Sequence, residues 1–181
     1  GAHACFNIDG TKRSWGEQGD GPGLRILSIL EIWDQLSEDA KSTARKILVR
    51  DRQYIIEHYD GDTDNAWEEI TGKSFFSRTA QRQAIDKLEK TSSKTGIDPE
   101  EKIPEIIKAL TTLLEEHWAS DLGYYRSILN GKAKNGALRG HELNIDIVFA
   151  CTYNGLPCFD ERMLATVAKL RDKFEKLYPI N

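Results

Sequence analysis

Three polar side chains near the start of a predicted helix over residues 78–91 have the types that read DNA bases: Arg78, Gln81 and Arg82. Arginine and glutamine pair with the edges of guanine and adenine in the major groove. A second, shorter helix just before them would complete a helix-turn-helix-like segment over residues 66–91, whose second helix enters that groove. The spacing therefore predicts that these three side chains contact nucleic acid.

A glycine-rich loop over residues 130–140 supplies further cations for such a contact: Lys132, Lys134 and Arg139. Cations and backbone amides in a glycine loop can hold phosphate groups. The whole chain, however, carries 25 basic and 29 acidic residues, a net charge of −4. Because a dedicated nucleic-acid domain usually has a strong basic excess, any such contact must depend on a local patch.

An arginine and a histidine six residues apart, Arg52 and His58, are the candidates for catalysis. In an RNase-like site, the cation holds the phosphate while the histidine moves a proton to or from a ribose hydroxyl. Six residues along a helix do not place two side chains on one face. The pattern favours a surface arginine and a histidine that interacts with the C-terminal dipole of a helix, and we expect no RNase activity that depends on His58.

Alternating acids in one turn resemble the opening of a calcium loop: Asp60, Asp62 and Asp64. Calcium needs several oxygen ligands on a flexible loop, closed by a bidentate glutamate. Thr71 stands where that glutamate belongs, and only Glu68 or Glu69 could replace it. The pattern favours a solvated acidic turn, and we expect no tight calcium site.

His117 is the other candidate metal ligand, because acids surround it in the sequence. The Glu-x-x-His unit of di-iron helical bundles is absent, however. His117 also lies on the apolar stripe of a predicted helix, where a histidine is more often part of the core. We therefore expect no metal and no cofactor.

Helical spacing of apolar residues dominates the chain and predicts a mainly α fold: a single-domain bundle of six to eight helices. Ser37 and Asp160 are expected to cap two of these helices. Short helices are also predicted over 65–71 and 122–129. The segment 143–153 fits a strand or a buried helix, and we favour the helix, so that at most a small two-stranded β element remains.

The domain organisation predicted is an irregular N-terminal arm over residues 1–23, with 6 of the 14 glycines, followed by one helical domain over 24–181. The 181 residues suffice for a core without disulfides or metals. Three cysteines are too few for a secreted disulfide scaffold and favour the cytoplasm, although a Cys151–Cys158 bridge stays open. No apolar run is long enough to predict a membrane span.

These features favour a non-enzymatic recognition protein that binds nucleic acid through residues 66–91 or binds another protein. The alternative is a nuclease that uses Arg52 and His58 or a metal near His117. The sequence leaves open which partner is bound and whether the chain forms a homo-oligomer.

Overall fold

A computed structural model describes residues 7–12, 18–133, 142–153, 157 and 159–178 of the chain. Within these residues the α-helices are α1 (Asp20–Glu31), α2 (Glu38–His58), α3 (Phe75–Lys90), α4 (Ser92–Thr95), α5 (Ile103–Glu115), α6 (Phe149–Thr152) and α7 (Glu161–Leu177). The strands are β1 (Thr63–Asp64), β2 (Ile70–Ser74), β3 (Trp118–Ala119), β4 (Tyr124–Tyr125) and β5 (Ile128–Ala133). The prediction of a mainly helical fold is confirmed.

Side-chain caps fix where the long helices begin. The Ser37 hydroxyl accepts a hydrogen bond from the Ala40 amide at the start of α2. The Asp160 carboxylate accepts from the amides of Arg162 and Met163 at the start of α7. Both caps satisfy amides that have no partner inside the helix, as the sequence predicted.

Helices α1, α2, α3 and α5 enclose one hydrophobic core, which includes Ile26, Leu48, Ile55, Ile85, Leu88 and Leu110. Helix α1 lies very close to α3, because Gly23 has no side chain to separate the two backbones. A Cβ atom at Gly23 would stand 2.9 Å from the carbonyl carbon of Ala80. The first half of α3 is therefore buried on every side, from Phe75 to Gln81.

A small antiparallel sheet covers the end of this helical layer, with strand order β1–β2–β5. Strands β1 and β2 form a hairpin in which Thr63 pairs with Gly72 and Asp64 with Thr71. A second sheet pairs β3 with β4. The expectation of at most two strands is thus wrong, because the described residues form a three-stranded sheet and a two-stranded one.

Two short helices expected from the sequence are also wrong. Residues 65–71 form the hairpin turn and the start of β2, and 122–129 form β4 and the start of β5. The helix-turn-helix-like segment 66–91 is therefore a strand followed by one helix. The helix favoured over 143–153 is confirmed, as a 3-10 turn (Ile145–Val148) followed by α6.

The first helix begins at Asp20, inside the segment expected to be an irregular arm. The division into residues 1–23 and 24–181 stays a prediction. The suggested Cys151–Cys158 bridge depends on a residue outside the described ranges. Among the described helices, none combines the length and the apolar character that a membrane span requires.

Candidate functional site

The three side chains predicted to read DNA do not form an exposed surface. Arg78 and Gln81 are each only 3% exposed, and Arg82 is half-buried with its Nε donating to the Thr111 hydroxyl at 2.9 Å. The prediction took the apolar stripe of α3 as its only buried face. The close approach of α1 and the packing of α5 bury the other faces, so this DNA contact is wrong.

Arg78 instead holds three parts of the structure together. Its guanidinium donates to the Leu113 carbonyl at 3.1 Å, to the Asp60 carboxylate at 3.2 Å and to His117 Nε2 at 3.1 Å. Burial lowers the pKa of Arg78 from its ordinary value, and the negative charge of Asp60 opposes that effect. The arginine is thus a structural link between α3, α5 and the turn before β1.

The predicted phosphate contacts in the glycine loop are only partly described. Lys132 lies on β5, opposite Thr71, with an exposed side chain. Lys134 and Arg139 lie outside the described residues. No described contact joins Lys132 to the N-terminal half of α3.

Arg52 and His58 have separate partners. Arg52 donates to the Glu89 carboxylate at 3.2 Å and to the Asp98 carbonyl at 2.8 Å. The His58 ring stacks on Tyr54, with 4.3 Å between the ring centroids, and its Nδ1 lies 2.9 Å from the Tyr54 carbonyl oxygen. These contacts anchor Arg52 to α3 and hold His58 against the C-terminal end of α2. The two side chains therefore do not form an RNase-like pair.

The alternating acids of the calcium hypothesis are paired within the protein. Asp60 binds Arg78, Asp62 lies 3.4 Å from the Lys73 ammonium, and Asp64 accepts a hydrogen bond from the Thr71 hydroxyl at 2.6 Å. Among the described residues, no group of three or more potential ligands is arranged to hold a metal ion.

His117 is fully buried between α3 and β5, as a core residue would be. Its Nδ1 lies 2.7 Å from the Arg126 carbonyl oxygen, to which it donates, and its Nε2 accepts from Arg78. Burial lowers the pKa of His117 to about 3, and the charge of Arg78 acts in the same direction. The ring therefore stays neutral at physiological pH, with both nitrogen atoms engaged.

The hairpin turn between β1 and β2 carries an acidic site that the sequence analysis did not identify. Asn65, at the end of β1, is 1% exposed. Its Oδ1 accepts hydrogen bonds from the amides of Glu69 at 2.9 Å and Ile70 at 3.2 Å, while its backbone carbonyl accepts from Glu68. A single buried amide thus determines the path of the turn.

That path places Glu68 in a backbone conformation that side chains normally avoid. Its φ is +58°, in the left-handed region, which costs a residue other than glycine about 1–2 kcal/mol. Such strain persists only where the surroundings impose it, and it concentrates at functional sites. Glu68 is half-buried, whereas its neighbours Trp67 and Glu69 are exposed.

The start of α1 meets the Glu68 carboxylate from the other side. Gln18 Nε2 donates to Glu68 Oε1 at 2.7 Å. Two residues further on, burial raises the pKa of Asp20, and the negative charge of Glu68 adds to that effect. Asp20 thus holds its proton to a higher pH than an exposed aspartate does.

Trp67 stands on the outer side of the same turn. Its indole Nε1 donates to Asn144 Oδ1 at 3.0 Å, although 48% of the residue stays exposed. The segment that carries Asn144 is held in turn by Asp146, whose Oδ2 accepts a 2.7 Å hydrogen bond from the Ser127 hydroxyl. The turn therefore carries an accessible aromatic ring, followed in sequence by the carboxyl groups of Glu68 and Glu69.

This arrangement suits acid–base chemistry on a neutral polar ligand. A carboxyl group can give or take a proton, and an aromatic surface can bind the apolar face of the ligand. In the sequence, Glu68 and Glu69 stand out only as substitute calcium ligands. The signal for the turn was Asp64-Asn65 followed by Gly72, residue types that favour turns and interrupt helices.

A family model described as glycosyl hydrolases family 15 matches residues 3–181. The chain is 24% identical over 185 residues to a probable glucoamylase of Schizosaccharomyces pombe; the match covers 97% of this chain and 39% of that relative. It is 33% identical over 97 residues to an intracellular, sporulation-specific glucoamylase of Saccharomyces cerevisiae, covering 45% of this chain and 18% of that relative.

Solved structures agree on the fold. The glucoamylase of Hormoconis resinae superimposes with a TM-score of 0.76 at 24% identity, over 99% of this chain and 32% of that one. A family 15 glucoamylase from Hypocrea jecorina gives 0.76 at 22% identity, over 94% and 30%. The matches that include nearly the whole chain thus span only 30–39% of the length of these relatives.

These findings overturn the functional predictions made from the sequence. The non-enzymatic recognition protein, with its DNA-binding helix, is wrong, and so is the nuclease alternative, because the matching family and relatives are carbohydrate-hydrolysing enzymes. The expectation that the chain is not an enzyme is wrong for the same reason.

Proposed function

The chain belongs to the glycosyl hydrolases of family 15, and on that premise we propose that its β1–β2 turn forms part of a site that hydrolyses glycosidic bonds between glucose units. The observation that carries the proposal is Glu68, held at φ +58° on the turn, half-buried and hydrogen-bonded to Gln18. The glucose units come from the names of the relatives, which are glucoamylases.

Glycoside hydrolysis commonly uses two carboxyl groups that flank the bond to be broken, one of which protonates the departing oxygen. We assign one of these two groups to Glu68. Its position satisfies the main requirement for such a group, which is a fixed orientation at an accessible surface. Gln18 holds one carboxylate oxygen, and the turn built by Asn65 holds the backbone.

Trp67 supplies the saccharide-binding surface in this proposal. Rings of glucose present apolar C–H faces, and a tryptophan offers a large flat surface together with one polar N–H group. Because Asn144 already engages that N–H group, the ring has a fixed orientation before any saccharide binds. A pre-oriented ring loses little conformational freedom on binding.

A second proposal concerns the arrangement of the helices. We propose that the described helices belong to a larger helical domain and do not form a self-contained bundle. Two observations support this: the matched relatives are more than twice as long as the chain, and α7 exposes a row of large apolar side chains, Leu164, Val167, Phe174 and Leu177. A cytoplasmic location and homo-oligomerisation stay predictions.

The test is the release of glucose from maltotriose by the purified full-length protein that carries these residues and by its Glu68→Gln variant. Glutamine keeps the shape of the side chain but cannot donate a carboxyl proton. We expect kcat to fall by about 10²–10⁴-fold, the usual contribution of one acid–base group. Glu101→Gln removes an exposed carboxyl group before α5 and should leave kcat unchanged. Equal rates for Glu68→Gln and the wild type would refute the assignment.

A further inference from the structure

The Gln18 side chain that donates to Glu68 is followed directly by Gly19. Both backbone polar groups of Gly19 have a partner. The Gly19 amide donates to the Thr63 hydroxyl at 2.6 Å, and the Gly19 carbonyl accepts from Gln81 Nε2 at 2.8 Å. The start of α1 is thus bound on one side to β1 and on the other to α3.

The fit around Gly19 leaves little room for other arrangements. A Cβ atom at Gly19 would stand 3.1 Å from the Thr63 hydroxyl and 3.3 Å from Gln81 Nε2. Thr63 is 8% exposed and Gln81 3% exposed. Because both partners are buried and close, the Gly19 peptide has one well-defined position while Gln81 is present.

The amide of Gln81 is committed to this contact. The Gly19 carbonyl can only accept a hydrogen bond, so the NH₂ group of Gln81 must face it. The other amide atom, Oε1, is buried and has no hydrogen-bond partner among the described residues. Within the described part of the chain, the bond to Gly19 is therefore the polar interaction by which this side chain holds a neighbouring segment.

We infer that Gln81 is a positioning residue, which keeps Gln18 on the Glu68 carboxylate by holding the Gly19 peptide. The inference rests on the proposed function, because the proposed function gives Glu68 its chemical role. Gln81 itself, 62 residues away from Gly19 in sequence, lies on the buried side of the peptide and acts on Glu68 only through Gly19 and Gln18.

The direct test follows the side-chain amide of Gln18 by NMR, a readout that needs no enzyme activity. In the wild type, the hydrogen bond to Glu68 should slow the exchange of this NH₂ group with solvent. Gln81→Met keeps the volume of the side chain but removes the donor, and we expect exchange to become at least about fivefold faster. Gln83→Met, on the same helix and with no described contact to Gly19, is the matched control. Unchanged exchange in Gln81→Met would overturn the inference.

A second variant keeps the test valid if Gln81→Met folds poorly. Gln81→Glu has nearly the same shape, and its carboxyl group can donate to the Gly19 carbonyl only while it is protonated. Relative to the wild type at the same pH, exchange of the Gln18 amide is therefore expected to be unchanged at low pH and faster once the introduced carboxyl group ionises. Exchange that stays slow in the ionised form would overturn the inference.

Turnover separates this inference from the proposed function. We expect Gln81→Met to lower kcat for maltotriose at least about tenfold, with KM changed by less than about twofold, since misplacing a reacting group costs rate more than binding. Unchanged kcat in Gln81→Met, with Glu68→Gln inactive, would overturn the positioning role. Full activity of Glu68→Gln would instead refute the proposed function, whereas the NMR result would still decide whether Gln81 holds Gln18.

Discussion

Backbone strain at Glu68 is the feature of a single residue that most directly separates function from stability. Its carboxylate binds Gln18, yet its φ of +58° is one that glycine adopts without cost. A residue chosen for stability alone would be glycine or asparagine, as at Asn130, whose φ is +54°. The strain indicates that the carboxyl group is retained for its chemistry.

Replacing Glu68 should therefore reveal the strain. Glu68→Ala and Glu68→Gly both lose the bond to Gln18, but only the glycine variant also relieves the left-handed backbone. We expect Glu68→Gly to be more stable than Glu68→Ala by about 1 kcal/mol. Urea denaturation of the two variants measures the difference. An alanine variant as stable as the glycine variant would show that the turn is not strained.

Asp146 should make the stability of the folded protein depend on pH. It is fully buried, and burial raises its pKa from 3.8 to about 6, against the opposing hydrogen bond from Ser127. A folded-state pKa above the unfolded one means that the folded protein holds the proton more tightly. The contribution of Asp146 is thus most favourable below about pH 4 and is lost as the pH rises to about 6.

The Asp146→Asn variant has no proton to lose at this position, and its side-chain oxygen can still accept from Ser127. We expect the wild type to lose up to about 3 kcal/mol of stability through this group between about pH 4 and pH 7, and the variant to lose correspondingly less. Thermal melts across that range check this. Asp121→Asn, at an exposed carboxyl group, is the control; an identical pH dependence in Asp146→Asn and the wild type would contradict the prediction.

At the scale of elements, the contact between α1 and α3 positions the site, because Gln18 lies two residues before α1 and α3 follows directly on β2. Gly23→Ala would place a methyl group 2.9 Å from the Ala80 backbone, so the helices must separate. We expect a loss of about 1–3 kcal/mol. Gly21→Ala is the matched control on the same helix.

The Cβ atom of Gly21→Ala meets only the end of the Arg25 side chain, at 3.7 Å. Because alanine favours helix over glycine, this variant should be as stable as the wild type or more stable by about 0.5–1 kcal/mol. Chemical denaturation distinguishes the two. If Gly23→Ala were as stable as Gly21→Ala, the close packing of α1 on α3 would not be the constraint described here.

Elements with a strong helical period could be predicted from the sequence, and those set by tertiary contacts could not. Helices α2 and α7 begin where Ser37 and Asp160 indicate, because a cap is a local interaction. The β1–β2 hairpin was missed because β2 pairs with β5, more than fifty residues later, and that partner was itself expected to be a helix. Because the hairpin was not predicted, Glu68 was placed in the short helix expected over residues 65–71.

Burial caused the other error. The sequence identifies the apolar stripe of α3 but not the number of elements packed around it. From the sequence, Arg78 and Gln81 are expected to be exposed because they are polar. In the structure both are buried, since Gly23 allows α1 to pack closely against this part of α3. A buried arginine with several partners and an exposed one have the same local sequence signature.

Among the described residues, two of the surfaces on which a saccharide could bind are well separated from each other. One is the turn with Trp67 and Glu68. The other is a groove of about 930 Å³ along α2, which we call the α2 groove, lined by residues that include Val49, Arg50 and Ile97. The strained residue Glu68, with its carboxylate held by Gln18, lies on the turn and not in the α2 groove.

The most direct test of the central claim, that the β1–β2 turn is the saccharide site, is to map maltotriose binding by NMR on the purified protein. We expect the largest shifts at the Trp67 indole N–H and the Gln18 side-chain amide, because these groups adjoin the proposed site on either side. A Trp67→Ala variant should bind maltotriose at least about tenfold more weakly, whereas Tyr178→Ala, at a more exposed aromatic residue directly after α7, should bind normally. Shifts that cluster at Val49, Arg50 and Ile97 in the α2 groove, with Trp67 and Gln18 unaffected, would contradict the account.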